Sequence, residues 1–309
     1  MNQRKIKSKN LLKMAKLNHS KKTLNNENFE AELQDRVNQA ISKISGKSST
    51  IESAISYALV NPGKRVRPLL VYLAADAIGL DLEKVDSLAV AAEVIHTYSL
   101  VHDDLPCMDD DDLRRGQPTL HKKFTEAHAV LAGDAMQSLA MDLIVNDQNI
   151  SADQKVRIIS FLAKTIGYEG MILGQAYDIE FEDKSVSKDE IIEMNQLKTG
   201  MLLEFCIRAP LLLINSQDDN WERLASSVGI SFQLIDDLLD LQASEESLGK
   251  ATRKDIELDK KNFPLTFGID ETQREIEIYE NIAIDSLTNL GLNNHPISKY
   301  VSELFRRKM

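Results

Sequence analysis

Turn-forming and aromatic residues are scarce in this chain of 309 residues: 13 Gly, 7 Pro and 6% Phe, Trp and Tyr. An all-β fold with its frequent turns is poorly served by that composition, whereas helices are well served. Proline is missing between Pro118 and Pro210, and again between Pro210 and Pro264, so long helices are allowed there. Only two cysteines occur, Cys107 and Cys206, without metal-ligand spacing. They read as reduced thiols of a cytoplasmic protein. No apolar run approaches the roughly 18 residues needed to cross a membrane, and no signal peptide follows the basic N-terminus. Basic residues are outnumbered, with 37 Lys and Arg against 48 Asp and Glu and a net charge of −11, which argues against broad nucleic-acid binding. Much of the basic charge is concentrated at one end. Arg4, Lys5, Lys7, Lys9, Lys13, Lys16, Lys21 and Lys22 have no acidic residue among them in 1–25. Residues 1–27 read as a solvated basic extension, or as one weakly drawn to an anionic surface.

The chain is 43% hydrophobic, enough to bury a substantial core. Apolar residues recur with helical period near 82–102 (Leu88, Ala91, Ala92, Val94, Ile95) and in Thr119–Val145 (Val130, Leu131, Ala135, Leu139, Leu143). Similar patterns occupy Ser187–Leu213, Asp218–Leu241, Ile276–Leu290 and Ile297–Phe305, and a turn at Asn61-Pro62-Gly63 launches a helix from about Arg65. There is no sustained strand alternation and no internal repeat, and no Pro/Gly/Ser-rich linker divides residues 30–305, so 28–309 reads as one domain. The expectation is an all-α, single-domain helical bundle with a central cavity.

Acidic residues are concentrated in two short stretches. The first is Asp103-Asp104-Leu105-Pro106-Cys107-Met108-Asp109, continuing through Asp110, Asp111 and Asp112 to Arg114-Arg115-Gly116; the second is Asp236-Asp237-Leu238-Leu239-Asp240 after Phe232-Gln233. Carboxylates so dense repel one another and require a compensating cation. Oxygen-only ligands select hard ions, and Mg²⁺ is the usual choice when a diphosphate completes the shell. Two such clusters facing each other would cage a substrate carrying its own phosphates. In the second motif Asp236 and Asp240 are i and i+4, about 40° apart on a helix, with Asp237 one step round. Apolar neighbours (Phe232, Leu234, Ile235, Leu238, Leu239, Leu241) make a merely solvated acidic face a poor reading, because unpaired charge there is costly. In the first motif Asp109 lies about 240° round an ideal helix from Asp103, on the wrong side. Pro106 supplies a reason for the helix to depart from ideality and return Asp109 to the site. Asp110 to Asp112 are either supporting residues or simply exposed. Arg114 and Arg115 can fork onto phosphate oxygens. Lys64 and Arg67, in Gly63-Lys64-Arg65-Val66-Arg67-Pro68, share a helix face and with His96 could bind a metal-free diphosphate. Taken singly, the two basic residues would more often be solvated and the histidine part of a core.

Taken together, Gly63–Pro68, Asp103–Gly116, Lys198-Thr199-Gly200 and Phe232-Gln233 with Asp236–Asp240 resemble, in order and spacing, the trans-isoprenyl diphosphate synthases, whose fold is the isoprenoid synthase bundle. The resemblance spans roughly 28–309 and is strongest to short-chain bacterial farnesyl diphosphate synthases. It implies Mg²⁺, three ions per site with substrate bound, ligated by Asp103, Asp109 and Asp236, with Asp104 supporting and Asp237 and Asp240 nearby. It implies that Arg114 holds the allylic diphosphate, and that Lys64, Arg67, His96 and Arg115 hold isopentenyl diphosphate. Lys198, Thr199, Gln233 and Lys260 would line the allylic site, where Thr199 and the Lys198 carbonyl can face a developing cation. Gln175 and Asp178 fall where the family has further polar site residues. Leu258-Asp259-Lys260 stands where the family often has Leu-Gly-Lys; Leu248-Gly249-Lys250 is an alternative, and the Asn262-Phe263-Pro264 that follows favours Lys260. A homodimer is also implied.

Tyr98, five residues before Asp103, sits about 7.5 Å down the helix axis, where a hydrocarbon tail would point, although at about 140° off Asp103 its direction is not set by periodicity. In the family an aromatic at this offset, combined with the Pro106-Cys107 insertion, implies a C15 product. Three rivals are a geranylgeranyl diphosphate synthase, a terpene cyclase and a non-catalytic subunit. A cyclase needs no Lys64/Arg67/His96 pocket, and a subunit typically lacks one aspartate motif.

Overall fold

The computed structural model describes residues 26–44, 48–61, 63–182, 184–246 and 262–307. Lys250, Lys260, Pro62 and residues 1–25 lie outside them. In chain order the helices are α1 (Asn26–Ile44), α2 (Thr50–Val60), α3 (Val66–Ala77), α4 (Asp86–Asp103), α5 (Leu120–Lys123), α6 (Glu126–Asn146) and α7 (Ala152–Ile166). They continue as α8 (Met171–Phe181), α9 (Lys188–Asn195), α10 (Met201–Leu212), α11 (Asp219–Glu246), α12 (Phe263–Phe267), α13 (Ile269–Asn289) and α14 (Pro296–Phe305). Among the described residues the only strands are β1 (Leu113–Arg114) and β2 (Gln117–Pro118), paired antiparallel. No described helix is long and apolar enough to cross a membrane.

Local chemistry sets the helix ends. Ser49 with Glu52, and Ser187 with Glu190, form reciprocal capping boxes that satisfy amides left open at the first turns of α2 and α9. Asn262 caps α12, its side chain accepting from the Leu265 amide at 2.9 Å. The expected helix over Thr119–Val145 is broken, because Thr125 turns extended and accepts the His128 amide to start α6 afresh. The expected helix over Ser187–Leu213 runs through, but its middle five residues, Gln196–Gly200, wind as a π turn in which the Met201 amide donates to the Gln196 carbonyl. The helix expected near 82–102 begins at Asp86, after a 3₁₀ turn at Leu82–Lys84.

The described residues fall into two compact units, those within 26–159 together with 209–216, and those within 160–208 together with 217–307. In the first, α3 buries Leu69, Leu70, Tyr72 and Leu73, and α4 packs on α6, with Leu88, Ala91 and Ile95 of α4 and Met136 of α6 buried. Burying so much apolar surface at about 25 cal/mol per Å² is what holds helices of modest intrinsic stability. Two ionic pairs pin this unit. Arg36 forks onto Asp86 at 2.5 and 2.6 Å, and the Tyr72 hydroxyl donates to the same carboxylate at 2.6 Å. Arg65 and Glu93, 5% and 3% exposed, meet at 2.5 Å. In the second unit, Phe181, Ile191, Met194, Ile230, Leu234 and Phe263 form a core cluster, with α11 packed along α13.

Candidate active site

The first aspartate motif begins where α4 ends. Asp103 is the last helical residue and Asp104 its C-cap, so the helix stops ahead of Pro106 instead of kinking through it. The chain then curls back: the Met108 and Asp110 amides both donate to the Leu105 carbonyl, and the Asp109 amide donates to the Asp103 carbonyl at 2.8 Å. The departure expected at Pro106 is therefore a tight loop that brings the backbone of Asp109 beside that of Asp103. Both side chains are half-buried; Asp110 and Asp112 are exposed.

Asp104 points inward. It is buried, and the Arg114 guanidinium lies 2.5–2.6 Å from its carboxylate while reaching Asp111 at 3.2 Å. Burial raises the Asp104 carboxyl above its ordinary range, and the Arg114 contact opposes that rise. Asp104 thus anchors Arg114. The next two residues, Arg115 (φ 52°) and Gly116 (φ 75°), both left-handed, form the two-residue link between β1 and β2. Such a hairpin demands positive φ at both positions, which explains the glycine and places Arg115 at an exposed tip. Thr119 closes the far end, its hydroxyl donating to the Asp111 carbonyl at 2.7 Å. Asp110, Asp112 and His121 also offer ligand atoms within 4.8 Å of one another, although Lys122 already sits 2.8 Å from Asp112.

The basic pocket is assembled in the same unit. A Cβ added to Gly63 would come within 2.5 Å of the Arg115 guanidinium, so Arg115 lies directly against the loop that carries Lys64 and leads into the first turn of α3, where Arg67 sits. Burial, followed by Arg67, Arg115, Arg114 and Arg65, pushes the His96 imidazole well below its ordinary pKa. It stands as a neutral ring within a ring of cations. Lys64 is exposed and Arg67 half-buried. Arg65, between them, adopts φ 51° and turns into the protein, where it meets Glu93 and donates to the Leu59 carbonyl at 3.0 Å. Tyr98 is 4% exposed, its hydroxyl has no hydrogen-bond partner, and its ring meets His102 edge-on at 5.8 Å.

In the second unit the π turn carries Lys198 and Thr199. Lys198 contacts Asp178 of α8 at 2.5 Å, and Thr199 donates to Gln233 of α11 at 2.8 Å. Gly174 of α8 lies so close that a Cβ there would fall 2.2 Å from the Lys198 amide nitrogen. Gln175 is half-buried on the same helix. Along α11 the second motif divides. Asp236 is half-buried, Asp240 exposed and Asp237 buried. Asp237 is raised to about 7, chiefly by burial, against hydrogen bonds from Gln233 and the Phe263 amide. Arg307 reaches Asp236 at 2.8 Å, donates to the Phe232 carbonyl at 2.9 Å and stacks 3.9 Å above the Phe232 ring. Sequence reasoning missed Arg65, Glu93 and Arg307. The run Arg306-Arg307-Lys308 near the end of the chain was the only available signal for the last.

The donor set of both motifs is oxygen throughout, and the carboxylates of the first adjoin guanidinium groups. Hard divalent cations and phosphate oxygens are the ligands such groups fit.

The polyprenyl synthetase family model matches residues 48–289. The chain is 37% identical over 268 residues to a farnesyl diphosphate synthase of Haemophilus influenzae, covering 84% of this chain and 91% of that one. It is 40% identical over 244 residues to a chloroplastic geranylgeranyl pyrophosphate synthase of Capsicum annuum, covering 77% and 66% respectively. Among solved structures, a geranyltransferase from Helicobacter pylori complexed with magnesium and isoprenyl diphosphate superposes with a TM-score of 0.81 at 27% identity, covering 93% of this chain and 99% of that one. Helical fold, aspartate motifs and family model agree: this chain belongs to the polyprenyl synthetase family. Its fold is the all-α isoprenoid synthase fold, and within the family it falls with the short-chain trans-prenyltransferases.

Proposed function

We infer that this chain condenses isopentenyl diphosphate with dimethylallyl diphosphate and then with geranyl diphosphate, giving farnesyl diphosphate. The observation that carries the reading is the loop from Asp103 to Asp109, which returns the second carboxylate-bearing residue to the first beside an anchored Arg114. Asp103, Asp109 and Asp236 are the proposed magnesium ligands. Magnesium, when bound, supplies the positive charge that offsets the departing diphosphate.

The chain's own residues do the rest. Arg114, held by Asp104, binds the allylic diphosphate; Lys64, Arg67, Arg115 and neutral His96 bind that of isopentenyl diphosphate. Cations fixed in advance around the leaving group stabilise charge as it develops, without reorganising in the transition state. The hydroxyl oxygen of Thr199 and the carbonyl of Lys198 face the allylic cation. The double bond of isopentenyl diphosphate attacks that cation, and one proton leaves, with the departing diphosphate as its acceptor. Apolar walls exclude water that would quench the cation. Tyr98 forms the floor that ends chain growth at C15. Residues 28–309 are proposed as the catalytic domain and 1–27 as a basic extension, in a cytoplasmic homodimer.

The Capsicum annuum relative favours a second reading, a C20 product. Incubating purified protein with Mg²⁺, labelled isopentenyl diphosphate and each allylic starter, then reading product length by chromatography, separates the two. Excess EDTA should abolish turnover, and turnover that survives it rules out the metal-dependent mechanism.

A further inference from the structure

We propose that Asp237 is a positioning residue for the reaction, orienting Thr199 through Gln233, and that it does not ligate metal. The inference rests on the functional reading above and deepens it.

Three side chains form a directed chain. The Thr199 hydroxyl lies 2.8 Å from Gln233 Oε1, and Gln233 Nε2 lies 2.8 Å from Asp237 Oδ1. Asp237 is four residues beyond Gln233 on α11, hence on the same face of the helix. The Phe263 amide also donates to it, so two donors converge on this carboxyl group. Asp236 and Asp240 lie towards solvent on the same helix, whereas Asp237 is 8% exposed. Among the three motif carboxylates, Asp237 is the one committed to the interior of the unit.

The direction of that chain has a chemical consequence. Asp237 Oδ1 accepts from Gln233 Nε2, so the amide of Gln233 turns its NH₂ towards Asp237. Its Oε1 then faces Thr199, and because an amide oxygen only accepts, Thr199 must give its single hydroxyl proton inward. What remains on the outer side of Thr199 Oγ1 is lone-pair density, the polarity an allylic cation requires. Reversing the amide would let Thr199 point its proton outward and present a positive dipole to a positive charge. Asparagine at 237 both donates and accepts, and so permits that reversal with little change in shape. The protein fixes the polarity of Thr199 from two residues away, as preorganised electrostatics requires.

The test compares wild type with Asp237→Asn in steady-state turnover of isopentenyl and geranyl diphosphates across a Mg²⁺ titration. It repeats Asp237→Asn in Thr199→Val, which has no hydroxyl to orient, and in Thr199→Ser, which keeps one. The expected result is a fall of about 10- to 100-fold in kcat, less than the roughly 10²–10³ for removing an electrostatic contact outright, because Thr199 is turned and not lost. KM for both substrates and the half-activating Mg²⁺ concentration should stay within about 3-fold. In the Thr199→Val background the same substitution should cost under about 3-fold, and in Thr199→Ser the full amount, because coupled residues are non-additive. A shift in Mg²⁺ dependence instead of kcat would make Asp237 a ligand and overturn the proposal. Equal cost in the Val and Ser backgrounds, or unchanged kcat, would also overturn it. Should Asp237→Asn fail to fold, Gln233→Met cuts the same chain at its middle and is read in the same two backgrounds. Absence of turnover by the wild type would overturn the functional reading, and this inference with it. Turnover by wild type with an unaffected Asp237→Asn overturns the orienting role alone.

Discussion

The amide of Asp109 donates to the carbonyl of Asp103 across 2.8 Å, closing a seven-residue turn at the end of α4. That bond converts an unfavourable helical offset into adjacency. Asp103→Asn and Asp109→Asn should each lower kcat by about 10²–10³, the range for removing one electrostatic contributor to a transition state. Unfolding temperature in EDTA should change little, because relief of repulsion in the acidic run is offset by lost attraction to Arg114. Normal turnover at ordinary Mg²⁺ in either variant would remove that residue from the mechanism.

Asp104 and Arg114 make a second, different use of a carboxylate. Arg114→Met leaves a buried aspartate without its cation and should destabilise the fold by about 3 kcal/mol. The double variant Asp104→Asn with Arg114→Met should recover a substantial part of that loss. Urea unfolding of the two single variants and the double variant checks this; additive losses would mean the pair is not coupled.

Tyr98 carries a buried hydroxyl without a hydrogen-bond partner. Tyr98→Phe should therefore leave stability unchanged or improve it by up to about 1 kcal/mol, since no bond is lost and a buried polar group is removed. Its product should stay C15. Tyr98→Ala should open the floor, lengthen the product to C20 or beyond, and cost about 3 kcal/mol for the cavity. Chromatography of the products decides the matter: unchanged C15 output from Tyr98→Ala would take the residue out of chain-length control.

His96 gives a pH dependence of known sign. Its folded-state pKa lies below the ordinary value, so the folded ring stays neutral where the unfolded chain begins to take up a proton, near pH 6.5. Its contribution to stability is therefore present above about pH 6.5 and is lost as the pH falls from there towards the folded-state pKa. His96→Gln should lose less of its unfolding midpoint than wild type between about pH 7 and 5.5. Parallel pH curves for the two proteins would show that the ring is not held neutral.

Much of the helical order was legible in the sequence, because wide apolar stripes at helical spacing leave little choice. The break before α6 was not. It depends on Thr125 bonding to the His128 amide, and no proline or glycine marks it. The hairpin between Arg114 and Gln117 escaped because two-residue strands carry no alternation, and Arg115 gave no hint of its positive φ. Pro106 did announce an irregularity at the first motif, although the helix ends before it and closes a loop instead of bulging. Arg65 shows why a local reading falls short. In the run Gly63–Pro68 it looks like one more basic residue, yet it turns inward to Glu93, 28 positions along the chain. Ion pairs between distant segments, like that of Arg307 with Asp236, leave no periodic trace. Lys260 and its alternative Lys250 lie outside the described residues.

The π turn at Gln196–Gly200 bears on which insertions and deletions this chain can survive. One surplus residue is wound into the rod there, and each residue of helix advances the facing direction by about 100°. Losing one of the five would restore ordinary winding and leave the later side chains of α10 facing as they do now, but would take Lys198 or Thr199 out of register with Asp178 and Gln233. A homologous chain shorter by one residue here should therefore keep its helix in place and lose the side-chain arrangement that the turn presents.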